Sequence, residues 1–120
     1  LPDGLPSLAF ATKAQKRAAA VGFVLGAAAD AIARLRDEVA ELEADPGGAE
    51  LGDVLFAAVA VAPHVGADPD LALRATTRTF RARVQAAADL AQRHGESFEA
   101  LDPDRQLEWY ARARREPGVP

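Results

Sequence analysis

Two pairs of carboxylates stand out by their spacing: Glu38-Val-Ala-Glu41 and, past a short break, Glu50-Leu-Gly-Asp53. On a helix, a spacing of three puts the members of a pair on adjacent turns of one face. The break, Asp45-Pro46-Gly47-Gly48, cannot continue a helix and is short enough to fold the two segments into antiparallel neighbours. Four carboxylates, Glu38, Glu41, Glu50 and Asp53, could then converge across the helix pair. Oxygen-only ligation that leaves positions for water and phosphate oxygens suits Mg²⁺, with Mn²⁺ an alternative. The chain has no cysteine and two histidines, so a soft-metal site is excluded. The competing reading is a solvated acidic face. For the first pair alone, flanked by Asp30, Arg34 and Asp45, it is the simpler one.

The segment that carries Glu50 and Asp53 tips this balance. Leu51, Leu55, Val59 and Ala62 line one side of it, Ala57, Ala60 and Val61 another, and no Lys or Arg occurs between Ala49 and Val65. A helix apolar nearly all round belongs in an interior or an interface. An ionised carboxylate moved there loses several kcal/mol of hydration unless a positive charge compensates, and a divalent cation supplies that charge. The same helix favours self-association, as a homodimer or higher oligomer, because so small a monomer has little with which to cover it.

The helices that must position these groups are legible from caps and breakers. Ser7 is expected to cap a first helix running to Val21, with Gly22 as its stop. A second spans Ala27–Ala44, its core stripe being Ile32, Leu35, Val39 and Leu42. A third runs from Ala49 to Val65, ended or kinked at Pro63 and closed by Gly66. Asp68-Pro69 opens a fourth, with Leu73, Phe80, Val84, Ala87 and Ala91 as its apolar stripe, which Gly95 ends near His94. Asp102-Pro103 opens a fifth to Arg115, and residues 116–120 should fray. The expected fold is all-α, a compact bundle of about five helices with antiparallel core helices, in one domain over residues 1–120. The chain does not begin with Met, and residues 1–6 are expected to be the edge of something longer.

A formal net charge of −4 over 120 residues argues against a nucleic-acid duplex as partner. No stretch approaches the roughly 20 apolar residues of a membrane span, and the start lacks the pattern of a signal peptide. No membrane association and a cytoplasmic location are therefore expected.

Read in order, the chain resembles the MazG family of nucleoside triphosphate pyrophosphohydrolases over nearly its whole length. An E-x-x-E pair followed by E-x-x-D is that family's hallmark, matched here by Glu38 with Glu41 and Glu50 with Asp53. ELGDVLFAAVAVAPHVGADPDLAL resembles the family's second acidic segment, LPSLAFATKAQKRAAAVGF its first helix, and TFRARV a stretch that helps hold the nucleotide. The resemblance implies that Glu38, Glu41, Glu50 and Asp53 ligate magnesium, that Arg34 and Arg83 meet phosphates, and that Trp109 lies near the nucleotide. It also implies the reaction: NTP or dNTP plus water gives NMP or dNMP plus pyrophosphate, a step suited to nucleotide-pool housecleaning.

Taken by themselves, these last residues have structural alternatives. Arg83 can be a snorkelling arginine that covers apolar surface, and a lone tryptophan in an amphipathic helix is usually core or interface. His64 reads as structural, and Lys13, Lys16 and Arg17 as a solvated basic face with a smaller prospect of meeting a triphosphate. Three features depart from the family pattern: a shorter join between the acidic pairs, Thr77 and Thr79 in place of Asn and Lys, and Val24-Leu25 where Asp-Trp is usual after Phe23. The expected mechanism is attack of a metal-activated water on the α-phosphorus, with Glu41 or Glu38 taking its proton. The rivals are a non-catalytic helical interaction module and an all-α phosphohydrolase restricted to one nucleotide.

Overall fold

The structure, a computed structural model, describes residues 4–120. Five α-helices and no strand occur among them: α1 Ser7–Ala20, α2 Ala28–Ala44, α3 Gly48–Val61, α4 Pro69–Arg93 and α5 Pro103–Ala113, with 3₁₀ turns at Ala62–Val65 and Phe98–Ala100. Chain contacts divide into two units, the first ending at Ala72 and the second spanning Leu73–Pro120.

Helix ends follow local chemistry. Asp68 accepts from the backbone N–H of Asp70 and Leu71 at 2.9 and 3.1 Å, and Asp102 accepts from Arg105 N–H at 2.8 Å. Each thus satisfies donors that a helix start leaves without partners. Ser7 caps nothing: Pro6 holds the N-cap position, no side chain bonds there, and Ser7 is already helical. α1 closes at Gly22, whose φ of 90° lets Gly22 N–H reach Ala19 O and Phe23 N–H reach Ala18 O, the paired closure that a left-handed residue permits. Pro63 does not kink α3. It lies in the 3₁₀ turn that continues the helix, where its missing N–H costs little. In residues 116–120, expected to fray, Pro117 and Gly118 form a turn closed by Val119 N–H bonding Glu116 O.

In the first unit, α2 packs along α3, and α1 packs on α3 as well. The buried line of α2 is not the expected stripe. Ala31 is buried and Leu35, Glu38 and Leu42 are half-buried, whereas Ile32 and Val39 are exposed. The facing line of α3 is Glu50, Val54, Ala57 and Val61, half-buried or buried, while Leu51 and Leu55 stand exposed. Contact between the two helices thus runs one residue, or 100°, away from the largest side chains. In facing antiparallel helices a 100° step of the same sense turns both to one side, so Ile32, Val39, Leu51 and Leu55 form a single bare apolar face.

The second unit is built around Trp109, 1 % exposed, with Ala87, Leu90, Ala91 and Ala113, against which Phe98, Leu101 and Tyr110 pack. Of the expected α4 stripe, Ala87 and Ala91 are buried and Val84 half-buried, but Leu73 and Phe80 are exposed. The Phe80 ring lies 6.0 Å from that of Tyr110.

The continuous helical run Gly48–Val65 has 18 residues and a mean hydropathy of 1.3, long and apolar enough by composition to cross a membrane. This corrects the expectation that no stretch approaches such apolarity. A core or interface helix has the same composition, and this one packs against α1 and α2.

Candidate functional site

The acidic pairs sit where the turn between α2 and α3 places them. Glu38 is half-buried on the face of α2 that meets α3, while Glu41 and Asp53 are exposed beside that line. Glu38 Oε2 is wholly buried and has no hydrogen-bond partner. An orphaned carboxylate oxygen is costly in a protein interior, so Glu38 is the focus of the cluster. Its carboxyl is pushed above the ordinary Glu range by burial first, then by the charge and hydrogen bond of Glu41 and the charge of Asp53, with Arg34 opposing. Three of the expected site residues, Glu41, Asp53 and Arg34, are therefore each near enough to act on a fourth, Glu38.

Glu50 is turned elsewhere. It is the third residue of α3, after the N-cap Gly47, and its Oε2 lies 2.7 Å from where a Cβ on Gly47 would stand. The carboxylate folds back over the start of its own helix, the direction that the positive end of the helix dipole favours. Among the described residues, no three Asp, Glu or His side chains are gathered closely enough to hold a metal ion. The sequence-expected convergence of four carboxylates is thus partial. The donors are hard oxygens and one is buried without a partner, which fits a cation such as Mg²⁺, and closure around it would require Glu50 to change rotamer.

Arg83 lies on α4 in the second unit, and its Nε donates to the Pro120 carbonyl oxygen at 2.7 Å. Trp109 is fully buried there. Its indole N–H donates to Glu96 Oε2 at 2.5 Å, and the guanidinium carbons of Arg105 and Arg112 stand 4.8 and 4.5 Å from its ring centroid. The His94 ring is 5.1 Å away. No exposed ring face is left for a base, so the structure gives Trp109 the core role that its position in an amphipathic helix already allowed. Sequence reasoning missed Glu96, which accepts from both Arg105 and Trp109. The signal was its place directly after the helix-ending Gly95, facing a helix that carries Arg105 and Trp109 one turn apart. His64 is exposed, and with Lys16 it lines a cavity at the far end of α3.

No family model matches the chain. It is 30% identical over 125 aligned positions to the nucleoside triphosphate pyrophosphohydrolase of Escherichia coli (strain K12), an alignment that covers 97% of this chain and 48% of that protein. The protein of the same name from Escherichia coli O157:H7 matches equally. The nucleoside triphosphate pyrophosphohydrolase/pyrophosphatase MazG of Thermotoga maritima is 29% identical over 114 positions, 92% of this chain and 45% of that protein. The chain spans about half the length of these curated relatives and is similar to them across nearly all of its own.

Proposed function

We propose that this chain is a magnesium-dependent nucleoside triphosphate pyrophosphohydrolase that splits NTPs or dNTPs into the monophosphate and pyrophosphate, in the cytoplasm where such substrates are abundant. The observation that carries the proposal is the buried, unpartnered Oε2 of Glu38 beside Glu41 and Asp53. The names of the relatives add support, since each is a nucleoside triphosphate pyrophosphohydrolase.

Glu38, Glu41 and Asp53 would hold the cation, with Glu50 joining them by leaving its position over Gly47. When bound, Mg²⁺ neutralises phosphate charge and lowers the pKa of water. Glu41, exposed beside Glu38, is open to a water approaching the α-phosphorus and accepts its proton. The oxygen of that water bonds to phosphorus as the bond to the bridging oxygen breaks, and pyrophosphate departs. Arg34, one turn before Glu38, brings a guanidinium that can grip a phosphate with two donors, and Arg83 is proposed as a second phosphate contact on the family resemblance. A homodimer formed through the bare face of α2 and α3 completes the proposal.

The second reading, a non-catalytic helical module, draws on the spread of the acidic side chains, no three of which are gathered as a metal site among the described residues. One experiment separates the two: NTPs and dNTPs incubated with the chain and Mg²⁺, with pyrophosphate resolved from orthophosphate. Magnesium-dependent pyrophosphate release supports the enzyme. No release, together with no Mg²⁺-dependent thermal shift, leaves the module.

A further inference from the structure

Arg83 is held by a stretch of chain far from it in sequence. Its Nε donates to Pro120 O at 2.7 Å, across 37 residues. On α4, Arg83 stands one turn before Ala87 and two before Leu90, both buried, so its side chain leaves the helix on the line that faces the core of the second unit. Arg83 is half-buried, as befits an arginine whose carbon stem lies along apolar surface. That accounts for the stem. It does not account for where the head is held, because an arginine that only covers apolar surface ends in water.

A turn with one specific backbone brings the carbonyl there. After α5, Glu116 N–H bonds Ala113 O at 3.0 Å and Val119 N–H bonds Glu116 O at 3.2 Å. Gly118 lies in the second of these turns with φ of 84°, a left-handed conformation that glycine takes freely and a β-branched residue takes only under strain. Val119, the next residue, is half-buried, so the segment lies against the unit instead of leaving it. A guanidinium carries five N–H donors in one plane. With Nε given to Pro120 O, the terminal nitrogens Nη1 and Nη2 are the fork left for a phosphate, which such a fork meets with two parallel N–H···O bonds.

We infer that the turn at Pro117 and Gly118 is a positioning device for Arg83: by bonding Nε through Pro120 O it fixes the guanidinium, so that the Nη1–Nη2 edge meets a phosphate of the substrate already aligned. The inference rests on the proposed contact between Arg83 and a phosphate, and it adds what aims that side chain. An arginine free to rotate loses much rotamer freedom when it grips an anion, and one fixed beforehand loses less. A misplacement of about 1 Å in a positioning group can cost about a hundredfold in rate. A turn that never touches substrate thereby gains leverage over its binding.

Gly118→Val tests this. A Cβ at position 118 meets nothing within 4 Å, so the substitution acts through the backbone alone, by disfavouring φ of 84° and opening the turn. Gly118→Asn is the rescue variant, since Asn visits the left-handed region far more readily, and Arg83→Lys removes the fork. Two measurements are made with Mg²⁺: kcat and KM for ATP, and calorimetric binding of inorganic pyrophosphate. Gly118→Val is expected to raise KM and weaken pyrophosphate binding by about tenfold each, with kcat and helicity close to wild type. Gly118→Asn should restore both, and in an Arg83→Lys background Gly118→Val should add nothing, because it acts through Arg83. If Gly118→Val keeps wild-type KM and affinity while Arg83→Lys loses both, the arginine meets phosphate unaided and the positioning role is overturned. Tighter binding in Gly118→Val overturns it as well, in favour of a turn that withholds Arg83 from phosphate. If Arg83→Lys itself keeps wild-type KM and affinity, the phosphate contact on which the inference rests fails, and the inference with it. If wild type releases no pyrophosphate from ATP, the hydrolase reading fails, while loss of pyrophosphate affinity in Gly118→Val with rescue by Gly118→Asn still supports the turn as what aims Arg83.

Discussion

The indole N–H of Trp109 donates to Glu96 Oε2 at 2.5 Å, and Arg105 grips the same carboxylate through Nε and Nη2. One carboxylate thereby ties the loop after α4 to α5, and Trp109 is the largest fully buried side chain. Truncating a core aromatic costs about 3–5 kcal/mol. Trp109→Ala is expected to lose that much in denaturant unfolding, whereas Trp109→Phe folds and keeps its KM for nucleotide. A raised KM in a fully folded Trp109→Phe would return the tryptophan to the nucleotide site.

Glu96 also sets an acid limit. Hydrogen bonds from Arg105 and then Trp109 hold its carboxyl below the ordinary Glu range. The unfolded chain therefore binds a proton more readily than the folded one. The stabilisation is fully present above the ordinary Glu value of about 4.3 and is lost as pH falls from there through the lowered folded value. Urea midpoints measured from pH 6 down to pH 3 should fall in wild type and flatten in Glu96→Gln. Parallel curves would remove Glu96 as the cause.

Glu38 carries the opposite shift, and its removal should separate activity from stability. In Glu38→Gln the repulsion from Glu41 and Asp53 is relieved, so thermal scans without divalent ions should show a higher midpoint than wild type. Pyrophosphate release should fall by roughly a thousandfold or more, as when one member of a catalytic unit is removed. A variant both less stable and fully active would contradict the role given to this residue.

Ile32, Val39, Leu51 and Leu55 leave one side of the α2–α3 pair uncovered, Leu55 being 54% exposed. Sedimentation velocity at micromolar concentration should show a dimer, and Leu55→Glu should convert it to a helical monomer, since burying an unpaired charge opposes association. A monomeric wild type would remove the dimer.

Helices and their breaks were legible in the sequence because caps and stops act over three or four residues: Asp68, Asp102, Gly22, Gly66 and Gly95 each work where expected. Ser7 failed as a cap because Pro6 takes the extended conformation and Ser7 the first helical one. Burial was less legible. Apolarity alone points to the stripe through Ile32 and Val39 as core, yet the contact line is set by how α2 and α3 meet, which depends on their short join and on close packing at small residues such as Ala31 and Ala57. In the acidic cluster, spacing identified the residues, and the packing of α2 on α3 singles out Glu38 as the half-buried one. What spacing does not carry is rotamer, and so the backward turn of Glu50 could not be read from it.

That turn of Glu50 has a consequence for Gly47. The glycine is extended, with φ of −170°, a conformation open to any residue, so its backbone does not demand the absence of a side chain. What a methyl at position 47 would meet is the tip of the Glu50 side chain, 2.7 Å away, which is flexible and easily displaced. Gly47→Ala is therefore a wedge that evicts the carboxylate from its resting place with little strain on the main chain. The smallest possible enlargement of the tight join between two helices would thus free one of the acids proposed to hold the cation, without replacing any of them.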